Sequence, residues 1–219
     1  MSEAWDYYRT HFGHLAPIAL VVYVLITALQ LLLVVLLGWL GALVGGLIGL
    51  AGVFWLQGAL VVAIDDVRDG RADLSITETL ARVRPRLNTL TVAGVLAALG
   101  ITLGLLLLIV PGLVLFTFWL LIVPVIMLEG AGITRSFGRS YQLVRGHGWS
   151  VFGVIVLTVI VLVLVFIVAR VISSSFDNVL ASLLIDIATQ TLTAPFVALA
   201  WTMTYYRLRG LDTPPAPAA

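Results

Sequence analysis

Neither cysteine nor lysine occurs anywhere in this 219-residue chain. The first absence excludes disulfides, thiolate metal sites and cysteine nucleophiles. The second excludes a glycine-rich phosphate loop closed by its usual lysine. Charge of either sign is scarce: 11% of the residues are charged, against roughly a quarter in soluble domains. The three histidines, His11, His14 and His147, stand in polar flanks beside apolar runs, and none has the spacing of a metal-ligand pair.

Apolar sequence fills the chain instead, with 61% hydrophobic residues and a mean hydropathy of +1.14. A water-soluble fold of this size has no way to hide so much apolar surface, because part of any fold faces its solvent. Lipid is the solvent that fits. The net charge of +1 decides little, but all twelve basic residues are arginine, the pattern expected of a GC-rich bacterial coding bias. Residues 1–14 carry Glu3, Asp6 and Arg9, and the apolar run after them is too long for the core of a cleaved signal peptide. The expectation is a retained membrane segment.

Six apolar segments follow, at about Leu15–Leu40, Gly41–Ile64, Leu87–Val110, Gly112–Leu128, Trp149–Ala169 and Val179–Tyr206. A helix needs about 20 residues to cross a bilayer core of about 30 Å. With no water to satisfy their backbone groups, and no alternation of the kind a barrel requires, these runs predict helices. Short uncharged turns are expected at Gly38–Gly41 and at Pro111-Gly112, and long polar breaks at Asp65–Arg86 and Glu129–Gly148. Arg9, Arg68, Arg71, Arg82, Arg84, Arg86, Arg135, Arg139, Arg145, Arg207 and Arg209 then fall on one side, and Arg170 alone on the other. This asymmetry predicts that both termini are cytoplasmic, and the cell inner membrane is the expected location.

Three basic turns, Tyr8-Arg9-Thr10-His11, Val83-Arg84-Pro85-Arg86 and Val144-Arg145-Gly146-His147, each follow a stripe of apolar residues at helical spacing. The stripes are Trp5, Tyr8, Phe12 and Leu15; Ile76, Leu80, Val83 and Leu87; and Phe137, Tyr141 and Val144. Ser75-x-x-Glu78 supplies a capping box for the second. The expected architecture is an all-α membrane domain over 1–211. It has six transmembrane helices in three hairpins, each hairpin preceded by a short interfacial amphipathic helix. The repeat units would be about 1–73, 74–131 and 132–211, followed by a disordered Pro/Ala tail at 212–219.

Chemistry-bearing constellations are few. Asp65, Asp66, Asp69 and Asp73 resemble the first aspartate-rich motif of intramembrane prenyltransferases, where carboxylates hold magnesium against a diphosphate. No second acidic cluster accompanies them, and Gly70 interrupts the helix that would align Asp69 with Asp73, so a solvated loop is the preferred reading. Ser140 lacks the second glycine of a nucleophile elbow. Gly41, Gly45 and Gly49 form a ladder suited to close helix packing within the chain. Asp186 reads as an interfacial acid near Arg170. Arg82, Arg84, Arg86, Arg135, Arg139 and Arg145 are candidates for contact with an anionic cytoplasmic leaflet, at roughly 1 kcal/mol each. Glu129, at the end of the fourth apolar run, opposes the helix dipole and calls for a partner among Arg135, Arg139 and Arg145, with Arg139 the first choice.

Ile109-Val110-Pro111-Gly112-Leu113, Pro124, Glu129-Gly130, Arg139-Ser140-Tyr141, Leu143-Val144 and Trp149 resemble the membrane domain of bacterial glycerophosphoryl diester phosphodiesterases and its stand-alone relatives. Pro195 and Tyr205-Tyr206-Arg207-Leu208-Arg209 are similar to that family's closing segment, although an acid often stands where Arg207 is. The resemblance implies a six-helix fold of unassigned role. The short tail at 212–219 stands where a phosphodiesterase would need a soluble catalytic barrel. No catalytic residue and no cofactor are expected. The first expectation is a lipid-interacting or scaffolding membrane protein, the second a small transporter or channel, and the third a magnesium-dependent prenyl or lipid transferase. Membrane lipids are the expected partners, a second copy or another membrane protein is the alternative, and nucleic acid is not expected.

Overall fold

A computed structural model describes residues 2–68, 74–176 and 178–212. The Pro/Ala tail at 213–219, together with residues 69–73 (Asp69, Gly70, Arg71 and Asp73 among them) and Asp177, lies outside the described residues, as do the side chains of residues 1–7, His14 and Asp212. Among the described residues there is no strand. The helices are α1 (Ser2–Leu37), α2 (Trp39–Arg68), α3 (Ile76–Val83), α4 (Leu87–Leu107), α5 (Ile109–Trp119), α6 (Ile122–Glu129), α7 (Ile133–Val144), α8 (Gly148–Ser173) and α9 (Val179–Asp212). Six stretches are long and apolar enough to cross a membrane: Leu15–Leu37, Trp39–Arg68, Ile76–Leu107, Ile109–Glu129, Gly148–Ser173 and Val179–Leu211. They are the helices of a multi-pass membrane protein.

The breaks between helices have local causes. Gly38 has φ +57°, a left-handed conformation that glycine adopts without a Cβ penalty, so a single residue separates α1 from α2. The next break lies at Leu108, which is extended with φ −157° and ψ 136°, and not at Pro111-Gly112 as the sequence suggested. Pro111 is instead the third residue of α5. A proline ring clashes with the carbonyl four residues earlier, which ends the preceding helix there, and proline itself suits a first helical turn. That carbonyl belongs to Leu107, the last residue of α4. Pro124 acts alike: four residues before it, at Leu120-Leu121, the fourth apolar run divides into α5 and α6. Pro17 and Pro195 sit inside α1 and α9 without breaking them. Near Pro195 the Tyr8 hydroxyl donates to the Leu192 carbonyl at 3.0 Å, and burial raises the Tyr8 phenol above its ordinary pKa.

The three basic turns differ in conformation. No separate interfacial helix precedes the first span, because α1 runs unbroken from Ser2, and Tyr8-Arg9-Thr10-His11 offers no residue that stops a helix. In the second, Ser75 and Glu78 form the capping box, and a 3-10 turn at Arg84–Arg86 carries α3 into α4 without interruption. The third is a distinct helix, α7, bounded by Gly130 at φ +67° and Gly146 at φ +91°.

Burial concentrates toward the arginine-bearing ends of the helices. One core cluster joins Leu15, Ile18 and Ala19 of α1 to Leu56, Leu60 and Ile64 of α2, Leu90 of α4, Ile126 of α6 and Leu199 of α9. A second joins Leu120, Leu121, Val125, Leu143, Val144, Val151, Ile155, Tyr205 and Leu208. At the opposite ends, Val35, Leu106 and Leu107 are about four-fifths exposed, at 81%, 78% and 80%, which suits side chains facing lipid tails. Lipid tails are as apolar as leucine, so helix association there depends on close packing. The α1–α2 seam supplies it. Gly41, Gly45, Gly49 and Gly52 are buried against α1, and Gln30 Nε2 crosses the seam to donate to the Gly45 carbonyl at 3.1 Å. A Cβ at Gly41 would overlap the Leu33 carbonyl, and one at Gly49 the Gln30 amide. The ladder therefore packs within the chain.

Candidate functional site

The polar contacts of the arginine-bearing end centre on the C-terminus of α6. A helix end leaves carbonyls without partners and carries partial negative charge, so Glu129 there needs compensation. Arg139 of α7 provides it: its Nε donates to Oε1 at 3.2 Å and to Oε2 at 3.1 Å. The Tyr205 hydroxyl of α9 donates to Oε1 at 3.1 Å. Both ion-pair side chains are mostly shielded, with 15% of Glu129 and 24% of Arg139 exposed. Arg86 closes the same end, with Nη1 donating to the Gly130 carbonyl at 2.9 Å. Gly130 takes a left-handed conformation, with φ +67°, that glycine adopts without a Cβ penalty.

These contacts tether α7 under the bundle and leave a cleft of about 720 Å³ lined by Glu129, Arg135, Gly138, Arg139, Gln142 and Arg209. Arg135 and Arg139 are one helical turn apart on the same face, and Arg209 enters from α9. Three guanidinium groups and one carboxylate line the cleft. Of the other arginines expected at the lipid surface, Arg82, Arg84 and Arg145 are exposed elsewhere, while Arg86 is half-buried and turned to the Gly130 carbonyl.

The two described members of the aspartate motif do not converge. Asp65 accepts a hydrogen bond from the Tyr206 hydroxyl, and Arg68 stacks over that tyrosine ring, its Cζ 3.7 Å from the centroid. Asp66 is buried and accepts from the Leu74 backbone N–H at 3.1 Å, which positions the entry to α3. Among the described residues no three histidine, aspartate or glutamate side chains come together in a metal-binding group, and Asp69 and Asp73 lie outside them. Asp186 meets Arg170 at 4.0 Å, with the Arg170 side chain exposed and that of Asp186 partly buried.

Ser140 has a part that the sequence reading missed. Its hydroxyl accepts from the Leu121 N–H at 3.2 Å and donates to the Phe118 carbonyl at 2.6 Å. One fully buried serine thus pairs with two backbone groups at the junction where Pro124 divides α5 from α6. The available signal was a small polar residue on the same face as Ser136, Leu143 and Val144, which are all buried. Tyr205, Gln142 and Arg209 were also missed as members of this site.

Comparison with known proteins gives no match: no family model fits the chain, and no similar curated protein or solved structure is found.

Proposed function

We propose that this protein is a lipid-interacting or scaffolding component of the bacterial inner membrane. Its six apolar helices run as three hairpins with both termini in the cytoplasm, and its arginine end engages the anionic cytoplasmic leaflet without a catalytic step. The observation that carries this reading is the one-sided distribution of arginine, of which the cleft beside Glu129 is the most concentrated part. Basic residues at a membrane surface lower the energy of the protein next to anionic lipid and work within a Debye length of it. The fold resemblance to the membrane domain of glycerophosphoryl diester phosphodiesterases is part of the same proposal. So is the descent of the three hairpins from one repeated unit, with α3 and α7 as its better separated interfacial helices.

Transport is the second reading. It is favoured by Thr191, Trp201 and Thr202 of α9, whose buried polar atoms have no hydrogen-bond partner, since polar groups inside an apolar bundle often mark a solute path. A magnesium-dependent transferase has less support, because Asp65 and Asp66 are engaged with separate partners.

Thermal unfolding in reconstituted vesicles tests the lipid reading. Replacing part of the phosphatidylcholine with phosphatidylglycerol should raise the unfolding temperature, and added salt should reduce the gain. Equal stability in both vesicles would contradict it.

A further inference from the structure

We propose that the cleft between α7 and the end of α9 is a binding site for a phosphate anion, held by Arg135 and Arg209, with Arg139 fixed in the same lining by Glu129. The proposal deepens the lipid reading above and rests on it only for the source of the phosphate.

Four observations carry it. The guanidinium groups come from two elements distant in sequence and meet in one concavity of about 720 Å³, a size typical of small-molecule sites. Three guanidinium groups stand there against one carboxylate, and guanidinium geometry fits phosphate oxygens with paired N–H donors. Arg139 is held in place by Glu129, which Tyr205 holds in turn, so one wall of the cleft is ordered before any ligand arrives. Finally, Gly138 lines the cleft without a side chain, and nothing lies within 4 Å of where its Cβ would stand. Room is therefore kept beside the charges. Gln142, one turn beyond Gly138, adds an amide suited to a phosphate oxygen or a hydroxyl on the same ligand.

A lipid headgroup and a soluble phosphate share this chemistry. The lipid source is favoured by position, since the cleft lies where the apolar helices α6 and α9 end.

The test uses the full chain in phosphatidylcholine nanodiscs. In one arm a minor share of phosphatidylglycerol is added, and native mass spectrometry reads which lipid stays bound. In the other, inorganic phosphate is titrated calorimetrically into protein in phosphatidylcholine alone. The Arg135→Gln/Arg209→Gln variant should lose selective phosphatidylglycerol retention by about tenfold or more. An Arg170→Gln control, at the one arginine expected on the other side of the membrane and outside the cleft, should retain it. Gly138→Trp fills the space without changing charge and should lose it as well. If inorganic phosphate binds in a manner sensitive to the cleft variants, and phosphatidylglycerol is not preferred, the site stands with a soluble occupant and the lipid reading falls. If phosphatidylglycerol is preferred equally by the cleft variant and the control, the lipid reading stands and the site is overturned. Loss of neither ligand in the cleft variants also overturns it.

Discussion

Glu129 joins three helices through two partners, Arg139 and Tyr205. Its carboxylate stands where the α6 dipole repels it and where little water reaches, so each bond offsets a cost that the position itself imposes. Removing the carboxylate leaves a shielded guanidinium without its partner, and hydrogen bonds to charged groups contribute about 1.5–3 kcal/mol. Glu129→Ala and Arg139→Ala should each destabilise the fold in a denaturant titration in detergent. The double variant should lose less than the sum of the two, by about 1 kcal/mol or more. Strict additivity would mean that the pair is a surface contact of no energetic weight. The Glu129–Arg139 contact was legible in the sequence because both residues lie within ten positions, across a glycine-rich turn that folds back. Tyr205 was not. It lies 76 residues away from Glu129, and no local pattern states which face of α9 turns toward α6. Ser140 was hidden for another reason: its task is to satisfy backbone groups, and the need for it arises only once Pro124 has opened the α5–α6 junction.

At the scale of elements, close packing of small residues takes the place of the hydrophobic effect that drives association in water. The spacing of Gly41, Gly45 and Gly49 was readable as a seam, and α1 fills it with Leu33, Gln30 and Ile26. Position within the helix decides what each glycine is for. Gly41→Ala would push a methyl group into the Leu33 carbonyl and should cost about 1–3 kcal/mol by overpacking. Gly46 faces outward with nothing within 4 Å of its absent Cβ, so Gly46→Ala should be neutral or stabilise by up to about 1 kcal/mol through helix propensity. Unfolding of both variants in one detergent checks the contrast, and equal effects would remove the seam. Helix ends were less legible than helices. Proline was taken as the turn itself at Pro111, whereas its ring disrupts the carbonyl four residues earlier and so moves the break to Leu108. The expected interfacial helix before α1 is not separate, because Tyr8-Arg9-Thr10-His11 itself holds no glycine or proline and the helix continues through it.

At the scale of the whole molecule, composition alone dictated helices in an apolar solvent, and arginine placement predicts a direction across it. Packing follows the same polarity. The core clusters lie toward the ends that carry Arg68, Arg139 and Arg209, while the opposite ends expose leucine, isoleucine and valine. The central claim is that six spans alternate across the membrane, so that all arginines except Arg170 stand on the cytoplasmic side. The chain contains no cysteine, so each introduced thiol is the only one, and labelling of whole cells with a membrane-impermeant maleimide reads its side directly. Trp39→Cys, Leu108→Cys and Ser175→Cys, all at exposed positions, should label in intact cells. Arg84→Cys, Arg145→Cys and Leu211→Cys, also exposed, should label only after the membrane is opened. If Leu108→Cys is instead protected together with Arg84→Cys, the α4–α5 pair does not cross the membrane, and the six-span account is contradicted.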